Sequence, residues 1–583
     1  MSFLARRPWT RIFLIVGLGV LAYANTFHAP FFFDDEPSIV FNPVVKDPGN
    51  FLSSPLGYEY APRRFIGYLT FALNYKLGGL EVTGYHIFNL AVHIVNALLL
   101  YALLVLTFRT PALKGRSAPF TPELTALCAA VLFVVHPLQT QAVTYIVQRL
   151  ASLATLFYLL ALYLYARARL LREPGRPVGG KAVSLYVLSF ASTVLAMKTK
   201  EIAFTLPLAV ALYEFFFLRA ALRTRLFVLA PMLLMLLIIP ASMLNINQPV
   251  GAVLSDVSDV TRVQSLVSRR DYLLTEFGVI SAYVRLLLLP VNQNVDYDYP
   301  IAHSLFSPAV FFSFLFLLAL FALAVFLAAR SRREDAADKS AYRLVSFGIF
   351  WFFLTLSVES SIIPIEDVIF EHRAYLPSAG FFIALTAGAG IVSRRLETKK
   401  IDAAKSLAAL FAAAALALTA ATFSRNTLWR DNLLWADSAE KSPGKARPHY
   451  NAANVYVDEG RLEDAVREYQ AALRLKPDYA EAHSNLGIAY GKQGRVEEAV
   501  REFRIALDIG LKGPKANKAY NNLGVAYATQ GRYEEAILRF QQALRLDPAN
   551  AEAHKNLGLA YSRLGRQEEA LKEIQAAITL DPG

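Results

Sequence analysis

Apolar runs of bilayer-spanning length recur from residue 12 to about residue 424, and nothing else in this chain constrains its fold as strongly. A hydrocarbon core ~30 Å thick takes ~20 apolar residues to cross as a helix, and every backbone N–H and C=O within it must be bonded internally. The first part of the chain is therefore an all-α, polytopic membrane domain. The runs read at 12–24, 84–108, 123–141, 147–166, 182–198, 201–219, 226–244, 307–329, 342–362, 376–392 and 406–423. Asp271 to Pro290 is apolar too, but it carries Glu276 and Arg285. Read as an interfacial or re-entrant helix that does not cross, it leaves about eleven spans.

The 583 residues carry a net charge of +12. That sign suits nucleic acid, but the basic residues sit in short loops beside the apolar runs, which positive-inside topology explains without such a partner. The loops hold Arg6, Arg7 and Arg11; Arg109, Lys114 and Arg116; Arg167, Arg169, Arg172, Arg176 and Lys181; Arg219, Arg223 and Arg225; Arg330, Arg332 and Arg333; and Arg394, Arg395, Lys399 and Lys400. Their alternation predicts a cytoplasmic N-terminus and an extracytoplasmic C-terminal part. Ala22-Tyr23-Ala24 also reads as a signal-peptidase site, although a retained anchor is favoured. The single cysteine, Cys128, excludes an intrachain disulfide.

The same parity puts the unusual polar clusters on the outer face. These are Asp34-Asp35-Glu36, His136 to Arg149, Lys198-Thr199-Lys200-Glu201, Asp296-Tyr297-Asp298-Tyr299, and Glu366-Asp367 with Glu371-His372-Arg373. Charge at the mouth of a span is a functional hypothesis by default, against the plainer reading of headgroup contacts. An interfacial helix at Phe65 to Leu77 would hold the first acids near the surface. His136 and His372 have acids nearby but no HxxxH or HExxH spacing, so they read as structural, with no metal site indicated. Glu201 reads as an internal ion pair with Lys200. Asp296 and Asp298 line either a sugar site or a solvated turn.

From Lys445 the pattern changes. Gly460, Gly494, Gly531 and Gly565, spaced by 34, 37 and 34 residues, each precede a helix containing Ala465, Ala499, Ala536 or Ala570. Tyr456, Tyr490, Tyr527 and Tyr561 recur before them. Four helix-turn-helix units of this period are the tetratricopeptide signature and stack as an α-solenoid with a concave binding face. The organisation is thus 1–424 membrane domain, 425–444 linker and 445–583 repeats.

The order FDDEPSIVFNP, RRFIGYLTFALNYKLGG, GYHIFNLAVHIVNALLLY, LFVVHPLQTQAVTYIVQR, KTKEIAFTLPL and EHRAYLPSAGF, followed by the repeats, resembles the transmembrane and tetratricopeptide-repeat-containing O-mannosyltransferases and their bacterial relatives. Phe65 and Gly67 depart from that family's pattern, as does Ser152, where an acid often follows the arginine. The resemblance implies a GT-C glycosyltransferase fold and a sugar, possibly mannose, taken from a polyprenyl-phosphate carrier in the membrane lipid. It also implies a protein acceptor, met through the repeats, on the extracytoplasmic side; a bacterial member would sit in the inner membrane.

Such a transfer needs a base for the acceptor hydroxyl and cations for the departing phosphate. Asp35 or its neighbour Asp34 is the candidate base. Arg149, Lys200, Arg64 and Arg373 are the candidate phosphate partners, because guanidinium groups grip phosphate through paired hydrogen bonds. A membrane-anchored scaffold without catalysis is the alternative, but an anchor needs one or two spans, not eleven with charged outer clusters.

Overall fold

The computed structural model describes residues 8–114, 121–172, 179–241, 267–333, 338–361, 363–397 and 403–581. Arg6, Arg7, Arg116, Arg176, Lys399, Lys400 and the end of the 226–244 run lie outside them. The described chain divides into two compact units, residues 1–293 with 299–431, and residues 294–298 with 432–583.

The first unit is built from α1 (Pro8–Tyr23), α2 (Phe65–Gly78), α3 (Val82–Thr107), α4 (Pro122–Val135), α5 (Arg149–Leu170), α6 (Gly180–Met197), α7 (Leu206–Phe217), α8 (Leu222–Leu234), α9 (Arg269–Leu288), α10 (Pro308–Arg330), α11 (Lys339–Leu356), α12 (Tyr375–Glu397) and α13 (Ala403–Arg430). Among the described residues, seven helices are long and apolar enough to cross a bilayer: Val82–Thr107, Ile146–Leu170, Gly180–Met197, Leu222–Pro240, Pro308–Arg330, Glu371–Leu396 and Lys405–Arg430. α4 and Pro137–Val143 make an eighth if the pair, bent by 53°, is one span.

The bend follows from Pro137, which lacks an N–H and drives His136 into an extended conformation. His136 Nδ1 accepts the Leu138 N–H at 3.2 Å, so the histidine caps the break.

Three of the eleven expected spans are shorter or less apolar helices. α7 has 12 residues, ~18 Å at the helical rise, and α1 has 16. α11 opens on Lys339 and reaches Arg343 one turn later. α9 is likewise not among the crossing helices, in keeping with Glu276 and Arg285. Arg169, which the sequence places with the loop cations, is instead buried, its Nε and Nη2 held by Glu214 at 2.9 and 2.5 Å.

Helices in lipid pack through small residues, because close backbone approach supplies the dispersion contacts. α11 and α12 show this where Gly348 and Gly380 face each other: a Cβ on Gly348 would lie 2.3 Å from the Gly380 carbonyl oxygen. Trp351 is buried beside them and donates to Leu376 O at 3.0 Å. This pairing carries the turn Glu371–Ala374, at the head of α12, to the site below.

The second unit begins with α14 (Leu434–Lys441), so helix occupies much of the stretch expected as linker. Eight helices follow as four hairpins: α15 (Ala446–Asp458) with α16 (Leu462–Leu475), α17 (Ala480–Lys492) with α18 (Val496–Ile509), α19 (Gly513–Thr529) with α20 (Tyr533–Leu546), and α21 (Ala551–Arg563) with α22 (Gln567–Leu580). Gly460, Gly494, Gly531 and Gly565 turn each hairpin at φ 74°, 75°, 76° and 77°, a region costly for any side chain. The arginine after each glycine stacks on the recurring tyrosine, from Arg461 on Tyr456 at 4.2 Å to Arg566 on Tyr561 at 4.4 Å. Buried Ala465, Ala499, Ala536 and Ala570 let the paired helices close.

Asn294–Asp298 belongs to this unit through Asp296. The carboxylate is buried and accepts from Arg447 Nε and Nη2 at 2.6 Å each and from Lys445 Nζ at 2.6 Å. Asp296 is therefore a buried clamp within this unit rather than a solvated turn. The Asp298 backbone N–H donates to Ser442 Oγ at 3.0 Å. Asp296→Ala should lower the stability of this unit by about 1–3 kcal/mol, less than for a wholly buried pair because both cations can return to water. Hydrogen exchange across α14 and α15 reads this out; unchanged protection would mean that the clamp contributes nothing.

Candidate active site

Polar side chains on α3 recur at His86, Asn89, His93 and Asn96, one helical face within an apolar span. That stripe binds the irregular backbone packed against it. His86 Nε2 meets Ala29 O at 2.8 Å, Asn89 donates to Val143 O at 3.0 Å, and Asn96 donates to Ser152 O at 2.8 Å. It fixes both the loop after α1 and the turn before α5.

The loop after α1 carries the acids. Phe33 takes φ 44°, a conformation a bulky residue adopts only at a cost. Asp35 next to it is wholly buried: Oδ2 accepts Phe32 N–H at 2.9 Å and Oδ1 accepts Val147 N–H at 2.7 Å. Asp34 is half-buried, its backbone N–H donating to Tyr145 Oη at 2.9 Å. Glu36 is exposed at the start of a short π-helical turn. Burial pushes the Asp35 carboxyl up to about 8, the Phe32 and Val147 N–H groups opposing the rise and the Asp34 charge adding to it.

Arg149, at the head of α5, is 0% exposed. Its hydrogen-bond partners are all neutral: Asn89 Oδ1 at 2.6 Å, Asn74 Oδ1 at 2.6 Å, Thr70 at 3.3 Å and Tyr85 O at 3.2 Å. The rings of Phe71 and Phe88 flank it at 4.6 and 4.4 Å. No carboxylate among the described residues is hydrogen-bonded to it, although the Asp35 charge acts on it, and its fork is saturated by oxygens and π faces. α2 supplies Thr70, Phe71 and Asn74, so the interfacial helix of the sequence reading serves as one wall of the arginine site.

A second group starts from the other end of α2. Arg64, at its N-cap, meets Glu201 at 3.4 Å. Lys200 Nζ meets Glu359 at 2.9 Å. Glu201 thus pairs with Arg64 rather than with its chain neighbour Lys200, because the extended backbone at Lys200 sends adjacent side chains apart. Arg373 donates to Val368 O at 2.9 Å and Asp367 O at 2.7 Å, and its charge also acts on Glu276 and Glu359. His372 Nδ1 lies 3.1 Å from Gln141 Oε1, and Glu371 accepts from Gln293 Nε2 at 2.7 Å. Among the described residues no group of three or more His, Cys, Asp and Glu could hold a metal.

The structure therefore brings Asp34, Asp35 and Arg149 into one group and Arg64, Lys200, Glu201 and Arg373 into another, with α2 between them. Asp296 and Asp298 lie in the other unit. Glu359 and the amides Asn74 and Asn89 were absent from the sequence reading. Glu359 is hidden in the 342–362 run, where a lone acid is itself a signal; the polar stripe on α3 is the signal for Asn89.

Models of the tetratricopeptide repeat match residues 453–494 and 524–565, 486–538, and 551–583. Protein O-mannosyl-transferase F38B6.6 of Caenorhabditis elegans is 28% identical over 495 residues, 80% of this chain and 63% of its own. Protein O-mannosyl-transferase TMTC4 of Homo sapiens is 26% identical over 516 residues, 78% of this chain and 65% of its own. The chain thus spans a little less than two thirds of the length of these relatives. Among solved structures, the crystal structure of MamA aligns at 23% identity over 26% of this chain and 85% of its own, with a TM-score of 0.24. With membrane helices followed by tetratricopeptide repeats, and similarity running along about four fifths of its length, the chain is a relative of the transmembrane and tetratricopeptide-repeat protein O-mannosyl-transferases.

Proposed function

We propose that this chain is an integral membrane glycosyltransferase that moves mannose from a polyprenyl-phosphate carrier to a serine or threonine hydroxyl of a protein, on the extracytoplasmic face. The observation that carries the reading is the pair of polar groups joined by α2, Asp34 and Asp35 with Arg149 and Arg64, Lys200 and Arg373 with their carboxylates, in a relative of proteins named O-mannosyl-transferases.

Asp34 is the base, being the less buried of the two acids and carried by a strained turn. It takes the proton of the acceptor hydroxyl, whose oxygen then attacks the sugar C1 as the bond from C1 to the phosphate oxygen breaks. The charge left on the phosphate is met by the cations. Arg149, whose hydrogen-bond partners are all neutral, contributes its charge to that end. Arg64 and Lys200 are held in place by Glu201 and Glu359, and phosphate replaces those carboxylates as their partner.

Asn294–Asp298 and the repeats form one unit and so share one side of a bilayer. That supports an extracytoplasmic repeat domain, the side that loop charge assigns to both. In the repeats, a groove of about 330 Å³ lined by Ile488, Lys492, Asn522, Val525 and Thr529 is the acceptor-docking surface.

Incubating the purified chain with polyprenyl-phosphate-mannose and candidate proteins, followed by mass spectrometry, tests the function: hexose on serine or threonine supports it, and no transfer from any lipid-linked sugar leaves a scaffold. Removing residues 446–583 should spare transfer to a short peptide and lower kcat/KM for the whole-protein acceptor by about tenfold. An unchanged kcat/KM for the native acceptor would show that the repeats serve another partner.

A further inference from the structure

Glu276 sits in α9, is 1% exposed, and neither of its carboxylate oxygens has a hydrogen-bond partner among the described residues. The buried Ser360 hydroxyl and the Tyr272 phenol stand beside it and act on it as hydrogen-bond donors, yet neither comes within full bonding geometry of either oxygen. Roughly nine in ten buried polar groups are bonded, so a buried carboxylate whose neighbouring donors stop short of bonding geometry calls for an explanation.

Several elements close around them. Tyr272 and Tyr283 come from α9 itself, each anchored by its phenol, Tyr272 to Glu359 O at 2.8 Å and Tyr283 to Phe370 O at 2.9 Å. Tyr299 follows the end of α9, and the Glu276 charge acts on it. Arg373 and Glu359 act on Glu276 through their charges.

The setting selects the ligand class. A cation would meet Arg373, and a phosphate would meet the Glu276 carboxylate. A neutral molecule rich in hydroxyls fits both, since a carboxylate accepts two O–H bonds at once and tyrosine faces cover the apolar side of a sugar ring. We infer that Glu276 and Ser360 form the pocket for the transferred sugar, with the carboxylate accepting hydrogen bonds from two ring hydroxyls. Burial holds the Glu276 carboxyl up at about 7, with Arg373, Ser360 and Tyr272 opposing the rise. The inference rests on the lipid-linked donor proposed above and gives Glu276 a task separate from that of the phosphate cations.

Binding of polyprenyl phosphate and of polyprenyl-phosphate-mannose to the full chain in detergent tests it. The wild type should prefer the sugar-bearing lipid by about 10- to 100-fold, the range of hydrogen bonds to a charged group. Glu276→Ala should erase that preference while binding the sugar-free carrier within about twofold of wild type, and Ser360→Ala should reduce it in part. An equal preference in wild type and Glu276→Ala overturns the pocket. Wild type binding both lipids equally also overturns it and leaves the donor reading standing; binding neither overturns both. Should Glu276→Ala fail to fold, donors lacking one sugar hydroxyl at a time are compared on the wild type. One or two positions should each cost about tenfold, and a flat series refutes the inference.

Discussion

Asp34→Asn should lower transfer by about 100-fold or more with the chain still folded in the membrane, because an amide has no basicity to replace the carboxylate. Asp35→Asn should act differently. Both Asp35 oxygens accept backbone N–H groups from Phe32 and Val147, and an amide nitrogen at either site sets donor against donor. That change should cost about 1–3 kcal/mol of stability in acid. The pH dependence separates the two roles further. Unfolded, the Asp35 carboxyl titrates near ~4; folded, burial holds it up at about 8. Between these values the folded chain keeps a proton that the unfolded chain has released, so this group's contribution to stability falls as pH rises through the window and levels off above it. Wild-type melting temperature should decline from pH 5 to pH 8, and Asp35→Asn should flatten the slope. Full activity in Asp34→Asn would make that acid a headgroup contact and send the search for the base elsewhere.

Arg149→Lys should be nearly as damaging as Arg149→Ala, despite keeping the charge. Separate guanidinium nitrogens reach Asn89, Asn74 and Tyr85 O. One ammonium on a shorter, unforked head cannot replace them all. At least two buried acceptors lose their donor, for about 2–5 kcal/mol of stability. Loss of the fixed charge that meets the leaving phosphate should cost about 100-fold or more in kcat. Measuring kcat/KM on the folded fraction, with melting temperature alongside, keeps the effects apart. A folded Arg149→Lys with wild-type kcat/KM would reduce Arg149 to a structural arginine and leave phosphate to the group around Lys200.

Much of the architecture is carried by short-range pattern. Glycine recurring before an alanine-bearing helix announced the repeats, since a left-handed turn and a close helix contact each need those residues locally. Apolar length announced the long spans, and Glu276 with Arg285 keep α9 out of the helices apolar enough to cross. His136 before Pro137 read as structural, and it caps the break in α4.

Which charges meet was another matter. Glu201 stands next to Lys200 in the chain but pairs with Arg64, 137 residues away, while Lys200 takes Glu359. Asp296, set among outer-loop residues, belongs with Lys445 and Arg447 of the repeat unit. Hydropathy, period and turn chemistry are properties of a residue and its near neighbours, so the sequence alone determined helix type, membrane character and repeat number. The identity of a buried partner depends on which helix ends the packing brings together, as where Gly348 lets α11 and α12 touch backbone to backbone. Only the tertiary structure decided that.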